Sequence, residues 1–253
     1  MIGIIGGTGT DNLLEDYEII ESKTLETIYG IAPTIHVLDI ENKEVAFMSR
    51  HSKGHSVPPH KINYRANIES LSMMNVNKVI ATNSVGSLDT NIAPGDLLIP
   101  DNFIDLTKNR PSTFFDDKVV HIDCTDPYCE NLRQNIIESG HAHPYGVYIA
   151  TEGPRFETGA EIKFYKLIGG SVVGMTGVPE IVLAKEKQMC YASICAVTNY
   201  AASISPSKLT ATEVLDVMNE SQEKLIQLIL KIVKKVNPKL NCECQNIIQD
   251  ADI

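Results

Sequence analysis

Eight short apolar segments rich in β-branched residues recur along this chain of 253 residues, and stretches of helical spacing separate or follow them. Several segments are apolar on both faces, which is typical of strands inside a parallel or mixed sheet that helices cover. The predicted strands are 2–7, 34–40, 44–49, 78–86, 95–100, 146–153, 171–176 and 192–199. The predicted helices are 61–75, 126–139, 157–168, 179–188 and 210–236. The sequence therefore predicts an α/β fold.

The chain shows no linker, internal repeat or low-complexity segment that would divide it. We therefore expect a single domain over residues 1–240. Its last predicted helix has the clearest pattern, with a capping box formed by Thr210 and Glu213 at its start. Residues 241–253 are predicted to form a polar, peripheral tail that carries a C-x-C motif.

The charge balance is acidic, with a formal net charge of −10. This charge argues against nucleic acid or an anionic membrane surface as the main partner, so an anionic ligand would need a local basic cluster. No apolar run approaches the roughly 20 residues of a membrane span, and the N-terminus lacks the basic start of a signal peptide. We expect a cytoplasmic protein with no nucleic-acid partner and no membrane contact.

The chain has six cysteines, which leave three interpretations open. Free thiols are the default in a cytosolic protein, and structural disulfides occur inside the cells of hyperthermophiles. Zinc ranks below both, because the C-x-C motif and the wide other spacings fit no standard zinc pattern, and we expect no metal. The residues concerned are Cys124, Cys129, Cys190, Cys195, Cys242 and Cys244.

Small polar or basic side chains stand where most of the predicted strands end. In sheets of this kind ligands gather at the carboxyl ends of the strands, so these groups are expected to form one composite site. They are Thr8, the pair Arg50 and His51, the pair Asn83 and Ser84, the pair Glu152 and Gly153, the pair Met175 and Thr176, and Asn199.

Two loops indicate a phosphate site. The glycines of GGTGT, residues 6–10, let the backbone approach an anion and Thr8 adds a hydroxyl, although a plain tight turn explains the motif equally well. In SRHSKGH, residues 49–55, Arg50 can bind phosphate through two N–H groups and His51 can share the anion. The sequence has no Ser-His-Asp arrangement, no H-E-x-x-H motif and no closely spaced carboxylate pair, so it predicts neither a covalent nucleophile nor a catalytic metal.

Three further side chains stand at notable positions in the predicted site. Asn199 ends the apolar run of CAVTNYAA, where a buried amide needs hydrogen-bond partners. In TEGPRFETGAE, residues 151–161, Phe156 could stack on a ring, although a phenylalanine of the core is the usual outcome. Glu157 stands at the start of a predicted helix, and as a lone residue it is expected to cap that helix.

Taken together, these motifs resemble the family of trimeric purine nucleoside phosphorylases and 5′-methylthioadenosine phosphorylases. The matching stretches run from residue 3 to about residue 215 and are GGTG, SRHSKGH, INYRAN, NSVGSL, TEGPRFETGAE, and VVGMTGVPEIVLAKE followed by CYASICAVTN. The resemblance implies a single α/β domain around a distorted mixed β-sheet flanked by helices, assembled as a trimer or a dimer of trimers. It also implies cleavage of a purine nucleoside by inorganic phosphate, a co-substrate, with no other cofactor.

The same resemblance assigns roles to individual residues. It implies that Asn199, Glu157 and His51 take part in catalysis. The implied phosphate ligands are Thr8, Arg50, His51, Asn83, Ser84 and Thr176. The implied nucleoside contacts are Phe156, Glu157, Met175, Asn199, Tyr200, Ala201 and Ala211.

Two of these positions indicate which purine is bound. Enzymes of the family that are specific for adenine carry an aspartate at the position of Asn199 and a second at the position of Ala201. An asparagine amide instead offers two N–H donors, which suit the ring nitrogen and the 6-oxygen of hypoxanthine or guanine. Glu157 matches the glutamate that accepts the ring N–H in 6-oxopurine phosphorylases. The resemblance therefore implies a 6-oxopurine nucleoside.

Ala211 indicates what the sugar carries at its 5′ position. The inosine and guanosine enzymes of the family have a histidine there, whereas Ala211, with Val214 and Leu215, would leave an apolar space for a thioether. The substrate that matches both ends is 5′-methylthioinosine. A general inosine and guanosine phosphorylase, a 5′-methylthioadenosine phosphorylase, a nucleosidase that uses water and a purine-binding protein without turnover remain alternatives.

Overall fold

The structure is a computed structural model that describes residues 1–10, 13–52, 54, 56–204, 211–237, 242–249 and 251; side chains of residues 211–215 and 218–220 are not described. The strands are β1 (Ile2–Gly6), β2 (Ile19–Lys23), β3 (Glu26–Thr27), β4 (Gly30–Ile31), β5 (Ile35–Ile40), β6 (Lys43–Ser49), β7 (Lys78–Ser87), β8 (Leu97–Leu98), β9 (Asn102–Leu106), β10 (Val147–Thr151), β11 (Val172–Gly174) and β12 (Cys190–Tyr200). The α-helices are α1 (Leu13–Asp16), α2 (Tyr64–Met73), α3 (Glu130–Ile137), α4 (Gly159–Leu167), α5 (Gly177–Glu186) and α6 (Ala211–Lys235). Short 3₁₀ helices cover Pro59–Lys61 and Glu243–Asn246.

Ten strands form one mixed sheet, which confirms the predicted α/β fold. Its main path is β2-β5-β6-β1-β7-β11-β10-β9, and β12 pairs with both β7 and β8. β3 and β4 form a separate two-stranded sheet. None of the helices in the described ranges combines the length and the apolar character that crossing a membrane would require.

Helices cover both faces of the sheet, as the doubly apolar strands require. In β1, Ile5 belongs to one core cluster and Ile4 to another, because adjacent side chains of a strand point to opposite faces. α2 and α5 pack in the first cluster, and α3 and α6 pack in the second. This two-sided burial fixes the register of the central strands.

The central strand β7 is paired differently along its two edges. β12 runs parallel to β7 along its whole length, from Lys78 to Ser87. The other edge is shared, since β1 pairs in parallel with residues 78–81 and β11 pairs antiparallel with residues 86–87. β1 and β11 therefore point their carboxyl ends at each other across the middle of β7. The strand ends meet in this gap rather than along one edge of the sheet.

Several elements were not predicted from the sequence. β2 lies at the edge of the sheet with all five residues exposed, so it lacks the apolar pattern that identifies a strand. The predicted strand 95–100 contains only the two-residue β8, and β9 follows where no strand was expected. These peripheral elements do not change the fold class.

Candidate active site

A cavity of about 280 Å³ fills the gap between the carboxyl ends of β1 and β11. It brings together ten of the thirteen residues that the sequence predicts for the site. These are Thr8, Arg50, His51, Ser84, Phe156, Glu157, Met175, Thr176, Asn199 and Ala201. Some of these residues follow β1 and β6, and others follow β10 and β11, far along the chain. They meet because β1 and β11 point their carboxyl ends at each other across β7.

The loop after β1 lies close against β7. The backbone N–H of Gly7 donates to Oγ1 of Thr82 at 2.8 Å. A Cβ atom at Gly7 would lie 2.6 Å from the carbonyl oxygen of Thr82, so only glycine fits there without a shift of the backbone. This close approach places Thr8 on the cavity wall.

Arg50 enters the cavity from the end of β6 and is held by a buried carboxylate. Its Nε donates to Oε2 of Glu180 and its Nη2 to Oε1, both at 2.7 Å, and its Nη1 donates to the carbonyl oxygen of Thr82 at 2.7 Å. Burial alone would lower the pKa of Arg50, but the ion pair with Glu180 raises it above its ordinary value. Of five N–H groups, three are used in these bonds, so one each on Nη1 and Nη2 can bind an anion.

Glu180 was not predicted as part of the site. It lies on α5 with its side chain fully buried, and its Oε1 also accepts a hydrogen bond from the hydroxyl of Tyr191 at 2.8 Å. The stretch GVPEIV reads as an ordinary helix start, and no local pattern indicates that its acid faces an arginine 130 residues away.

His51 is buried beside Arg50 and lines the same cavity. Its Nδ1 lies 2.8 Å from the carbonyl oxygen of Val57. A carbonyl only accepts hydrogen bonds, so Nδ1 carries a proton and donates it to this oxygen. The contact with Val57 therefore fixes the orientation of the ring.

Two hydroxyl groups, those of Ser84 and Thr176, line the cavity near the middle of β7, and the amide of Asn83 holds the second of them. The Oγ atom of Ser84 is buried and has no hydrogen-bond partner among the residues that the structure describes. Nδ2 of Asn83 donates to Oγ1 of Thr176 at 2.8 Å, and Oδ1 of Asn83 accepts from the hydroxyl of Ser193 at 2.6 Å. Because the Thr176 oxygen accepts from Asn83, its proton is directed elsewhere, and Thr176 lines the cavity.

Asn83 was predicted as a phosphate ligand, but the structure places it behind Thr176 and outside the cavity lining. Side chains alternate along β7, so the Ser84 side chain points to the cavity and the Asn83 side chain to the opposite face. The Asn83 amide forms its hydrogen bonds with Thr176 and Ser193, and it thereby orients the Thr176 hydroxyl.

Glu157 lines the cavity at the start of the segment that leads into α4. Its Oε1 accepts from the hydroxyl of Thr151 at 2.8 Å, and burial raises the pKa of Glu157 above its ordinary value. The helix cap is Thr158, whose hydroxyl accepts from the backbone N–H of Glu161 in a capping box. Glu157 is therefore not needed as a cap. Phe156 lies beside it at the rim and is 42% exposed.

Asn199 reaches the cavity through an irregularity in β12. Val197 pairs with Val85 and Asn199 pairs with Gly86, so Thr198 is an additional residue in the ladder. Such a bulge changes the direction of neighbouring side chains, and Thr198 and Asn199 both line the cavity. Thr198 was not predicted, because a bulge leaves no signal in the apolar pattern.

The Asn199 amide is partly engaged by its neighbours. Its Oδ1 accepts from the hydroxyl of Thr198 at 2.8 Å, and its Nδ2 donates to the carbonyl oxygen of Tyr200 at 2.9 Å. The bond from Thr198 fixes the amide orientation. We expected two N–H donors for the base, but one is used by Tyr200, so one remains.

The remaining predicted contacts divide into three cases. Ala201 is buried and lines the cavity. Tyr200 is not among the residues that line it, its hydroxyl donates to the carbonyl oxygen of Thr90 at 3.4 Å, and its role as a nucleoside contact stays a prediction. Ala211 begins α6, but its side chain lies outside the described residues, as do those of Val214 and Leu215.

Arg110 supports the loops on the side of the cavity that Met175 and Glu157 line, and it was also not predicted. Its Nη1 donates to the carbonyl oxygens of Met175 at 2.7 Å and Val178 at 2.8 Å. Its Nη2 donates to those of Thr151 at 3.2 Å and Glu152 at 2.7 Å. One side chain thus ties the end of β10 to the start of α5. Its own segment, TKNRPS, reads as a surface loop.

A larger cavity of about 870 Å³ lies elsewhere, between α6 and the loops at residues 95–97 and 139–144. It contains none of the thirteen predicted residues, and its wall carries both acidic and basic groups, including Asp96, Glu223 and Lys231. The smaller cavity combines a guanidinium, hydroxyl groups, a carboxyl and an amide, so it is the candidate active site.

A family model described as the phosphorylase superfamily matches residues 1–234 of the chain. The chain belongs to the phosphorylase superfamily. The match spans every strand of the sheet and all the residues of the candidate active site.

Within this superfamily the chain is similar to two kinds of relative along its whole length. It is 51% identical to a probable S-methyl-5′-thioinosine phosphorylase of Methanothermobacter thermautotrophicus, covering 100% of this chain and 90% of that protein. It is 43% identical to the 6-oxopurine nucleoside phosphorylase of Pyrococcus furiosus, covering 99% of this chain and 98% of that protein.

The fold is shared with a solved member that acts on a different nucleoside. The methylthioadenosine phosphorylase of Schistosoma mansoni, solved in complex with adenine, superposes with a TM-score of 0.93 at 28% identity. The alignment covers 99% of this chain and 98% of that chain. The choice of base must therefore depend on individual side chains within a common phosphorylase framework.

Proposed function

We propose that this protein catalyses the reversible phosphorolysis of 6-oxopurine nucleosides, with 5′-methylthioinosine as its preferred substrate. The products are hypoxanthine and 5-methylthioribose 1-phosphate. The observation that carries the proposal is a single cavity with an anion-binding wall, formed by Arg50, Ser84 and Thr176, and a base-binding wall, formed by Glu157 and Asn199. The two relatives named for 6-oxopurine and methylthioinosine substrates support it.

The reaction needs two anions stabilised in one site, and the cavity has groups for both. Phosphate attacks the anomeric carbon while the glycosidic bond breaks, so positive charge develops on the sugar and negative charge on the purine. The two remaining N–H groups of Arg50 and the hydroxyls of Ser84 and Thr176 hold the phosphate. No protein nucleophile is required.

The base-binding wall selects for a 6-oxopurine through complementary hydrogen bonds. The remaining N–H of Asn199 donates to an acceptor on the five-membered ring, where the negative charge develops. The Glu157 carboxylate accepts the N1–H, which a 6-oxopurine carries and adenine lacks. With adenine the carboxylate would face a lone pair, and a site that leaves buried polar groups unpaired discriminates by up to about 10⁴-fold.

The 5′-methylthio part of the proposal rests on the sequence around Ala211 and on the relative from Methanothermobacter thermautotrophicus. A general inosine and guanosine phosphorylase is the second candidate, and the Pyrococcus furiosus relative favours it. Both candidates share the base-binding wall and differ only at the 5′ end of the sugar.

We further propose a cytoplasmic homo-oligomer, a trimer or a dimer of trimers, with phosphate as co-substrate and no other cofactor in the reaction. The resemblance to the trimeric phosphorylases supports the proposed assembly. The domain is proposed to span residues 1–240. The mass of the native protein by light scattering tests the assembly, and a monomer would contradict it.

Phosphate dependence tests the reaction class directly. With 5′-methylthioinosine as substrate, release of hypoxanthine should require phosphate and should yield 5-methylthioribose 1-phosphate in equal amount. Release of hypoxanthine at the same rate without phosphate would identify a nucleosidase and overturn the proposal. Binding of the nucleoside without turnover in the presence of phosphate would identify a purine-binding protein instead.

Ser84→Ala should weaken phosphate binding without destabilising the fold. The Ser84 hydroxyl is buried without a partner in the described structure, so its loss costs no internal bond. We expect the KM for phosphate to rise about 10- to 150-fold, because a hydrogen bond to a charged group contributes about 1.5–3 kcal/mol. Ser193→Ala is the matched control, since the hydroxyl of Ser193 donates to Asn83 and its removal should lower stability. An unchanged KM in Ser84→Ala would remove this residue from the phosphate site.

Asn199→Asp should shift base preference towards 6-aminopurines. The aspartate removes the N–H that faces a 6-oxopurine and introduces an acceptor for a 6-amino group. We expect the ratio of kcat/KM for inosine over adenosine to fall at least about 10-fold. Thr198→Val is the control, because it releases the amide without changing its chemistry and should slow both substrates alike. A ratio equal to that of the wild type would contradict the role of Asn199.

The pH dependence should report the raised pKa of Glu157, which burial causes. The base contact needs the carboxylate, so kcat/KM should fall as the pH drops through the raised pKa. Stability changes in the opposite sense, because the folded state favours the protonated acid. The protonated Glu157 therefore contributes fully to the unfolding free energy at pH values below the ordinary pKa of 4.5. That contribution is lost as the pH rises through the raised pKa of the folded state. Glu157→Gln should remove both changes, which paired pH profiles of kcat/KM and unfolding free energy measure.

A further inference from the structure

Four of the six cysteines lie together at one place on the fold, away from the cavity. Cys129 occupies the N-cap position of α3, Cys190 is the first residue of β12, and Cys242 and Cys244 belong to the C-terminal segment. All four Sγ atoms lie within 4.8 Å of one another. None of these cysteines lines the candidate active site.

The spacing of the sulfur atoms matches a tetrahedral metal centre. Zinc binds cysteine sulfur at about 2.3 Å, which places the sulfur atoms of a tetrahedral site about 3.8 Å apart. Two pairs in the cluster lie on either side of this value, with Cys190 and Cys242 at 3.2 Å and Cys129 and Cys242 at 4.0 Å. The Cys242 sulfur thus lies near two other sulfur atoms rather than against a single disulfide partner.

The number and burial of these ligands indicate a structural rather than a catalytic centre. Four protein ligands fill the coordination of a structural zinc ion and leave no position for substrate. Cys129 and Cys190 are buried, 4% and 1% exposed, and belong to the core cluster that α3 and α6 cover. Cys242 and Cys244 are partly buried and pack against the same cluster.

We propose that Cys129, Cys190, Cys242 and Cys244 bind one Zn²⁺ ion. On binding, the four thiols release four protons and four Zn–S bonds form, with no change in oxidation state. The sequence predicted no metal, because the ligands come from three distant segments and the C-x-C spacing is not a standard zinc pattern. Only the fold brings the four residues together.

The centre would fasten the C-terminal segment to the main body of the protein. A further anchor of this segment is Ala251, which is buried and whose carbonyl oxygen accepts from the backbone N–H of His121 at 2.9 Å. The metal would join residues 242–244 to the starts of α3 and β12. Loss of the metal should therefore release the tail and lower thermal stability while leaving the cavity residues in place.

Metal content after zinc loading tests the proposal. The full-length protein is kept under reducing conditions, incubated with Zn²⁺ and separated from free metal, and its zinc is measured by mass spectrometry. We expect one zinc ion per chain in the wild type. We expect the same in Cys124→Ser, the matched control, because Cys124 lies outside the cluster. The variant with both Cys242→Ser and Cys244→Ser should hold no zinc above background.

Two further measurements keep the proposal falsifiable if that variant folds poorly. Wild-type protein loaded with Co²⁺ should show the thiolate-to-metal charge-transfer absorption of a tetrahedral site, and a chelator should lower its Tm. Wild-type protein that holds no zinc after loading would overturn the proposal. So would a native mass under non-reducing conditions that is lower by four hydrogens, because two disulfides would then use the four cysteines.

Discussion

Arg50→Met should abolish phosphorolysis and should also be among the most destabilising single changes in the protein. The guanidinium of Arg50 is the fully buried cation of the proposed phosphate wall, and it pairs with both oxygens of Glu180. Its removal leaves that carboxylate buried without its cation, which costs about 3–5 kcal/mol of unfolding free energy. We expect kcat/KM to fall at least about 10³-fold, as measured by steady-state kinetics on protein shown to be folded.

A double variant separates the two effects. Arg50→Met combined with Glu180→Met removes the whole ion pair, and an apolar replacement of a buried pair is often close to neutral for stability. Part of the loss should remain, because Tyr191 would lose its acceptor on Glu180. The double variant should therefore regain most of the unfolding free energy and stay inactive. Recovery of activity along with stability would show that Arg50 serves the fold and not the phosphate.

Glu157→Ala should impair catalysis with hypoxanthine nucleosides far more than it impairs folding. The carboxylate makes one described side-chain hydrogen bond, from Thr151, and does not cap α4. We expect the unfolding free energy to change by no more than about 1 kcal/mol. We expect kcat/KM for hypoxanthine nucleosides to fall about 10²–10³-fold, because the N1–H of the base loses the carboxylate that accepts its hydrogen bond.

Glu161→Ala is the matched control, four residues along the same segment. Glu161 closes the capping box of α4 and pairs with Arg155, and it does not line the cavity. Its loss should cost about 1 kcal/mol of stability and leave kcat/KM unchanged. If the two variants showed the reverse pattern, Glu157 would be a structural residue and the assignment of the base-binding wall would be wrong.

The fold class and the phosphorylase family could be predicted because their signals are local or are carried by motifs in order. Doubly apolar strands and amphipathic helices identified the α/β sheet, and the polar residues at strand ends indicated where a ligand binds. The exposed edge strand β2 could not be predicted in this way, since a strand without a buried face has no apolar alternation.

Ten residues that line the candidate cavity were singled out in the sequence, but the way in which the fold joins them was not. The sequence places Arg50 and Thr176 at strand ends, yet only the shared edge of β7 explains how those ends meet. Alternation along a strand would have separated Ser84 from Asn83 if the register had been known. The bulge at Thr198 shows the limit of that rule, because it lets two neighbouring residues face one cavity.

Long-range partners were the main class of feature that the sequence could not indicate. Glu180 and Arg110 act on residues far away in the chain, and neither lies in a motif that suggests an ion pair or a brace. The four clustered cysteines are a further case, since their spacing argued against a metal and their positions in space argue for one. Contacts of this kind depend on the topology of the fold, which cannot be inferred from local sequence patterns.

The choice of nucleoside is the central claim, and one comparison tests it most directly. The measurement is kcat/KM at saturating phosphate for 5′-methylthioinosine, 5′-methylthioadenosine and inosine with the same enzyme preparation. Glu157 and Asn199 predict that methylthioinosine exceeds methylthioadenosine, and the apolar sequence around Ala211 predicts that it exceeds inosine. A higher value for methylthioadenosine would contradict the base assignment, and a higher value for inosine would contradict the 5′ assignment.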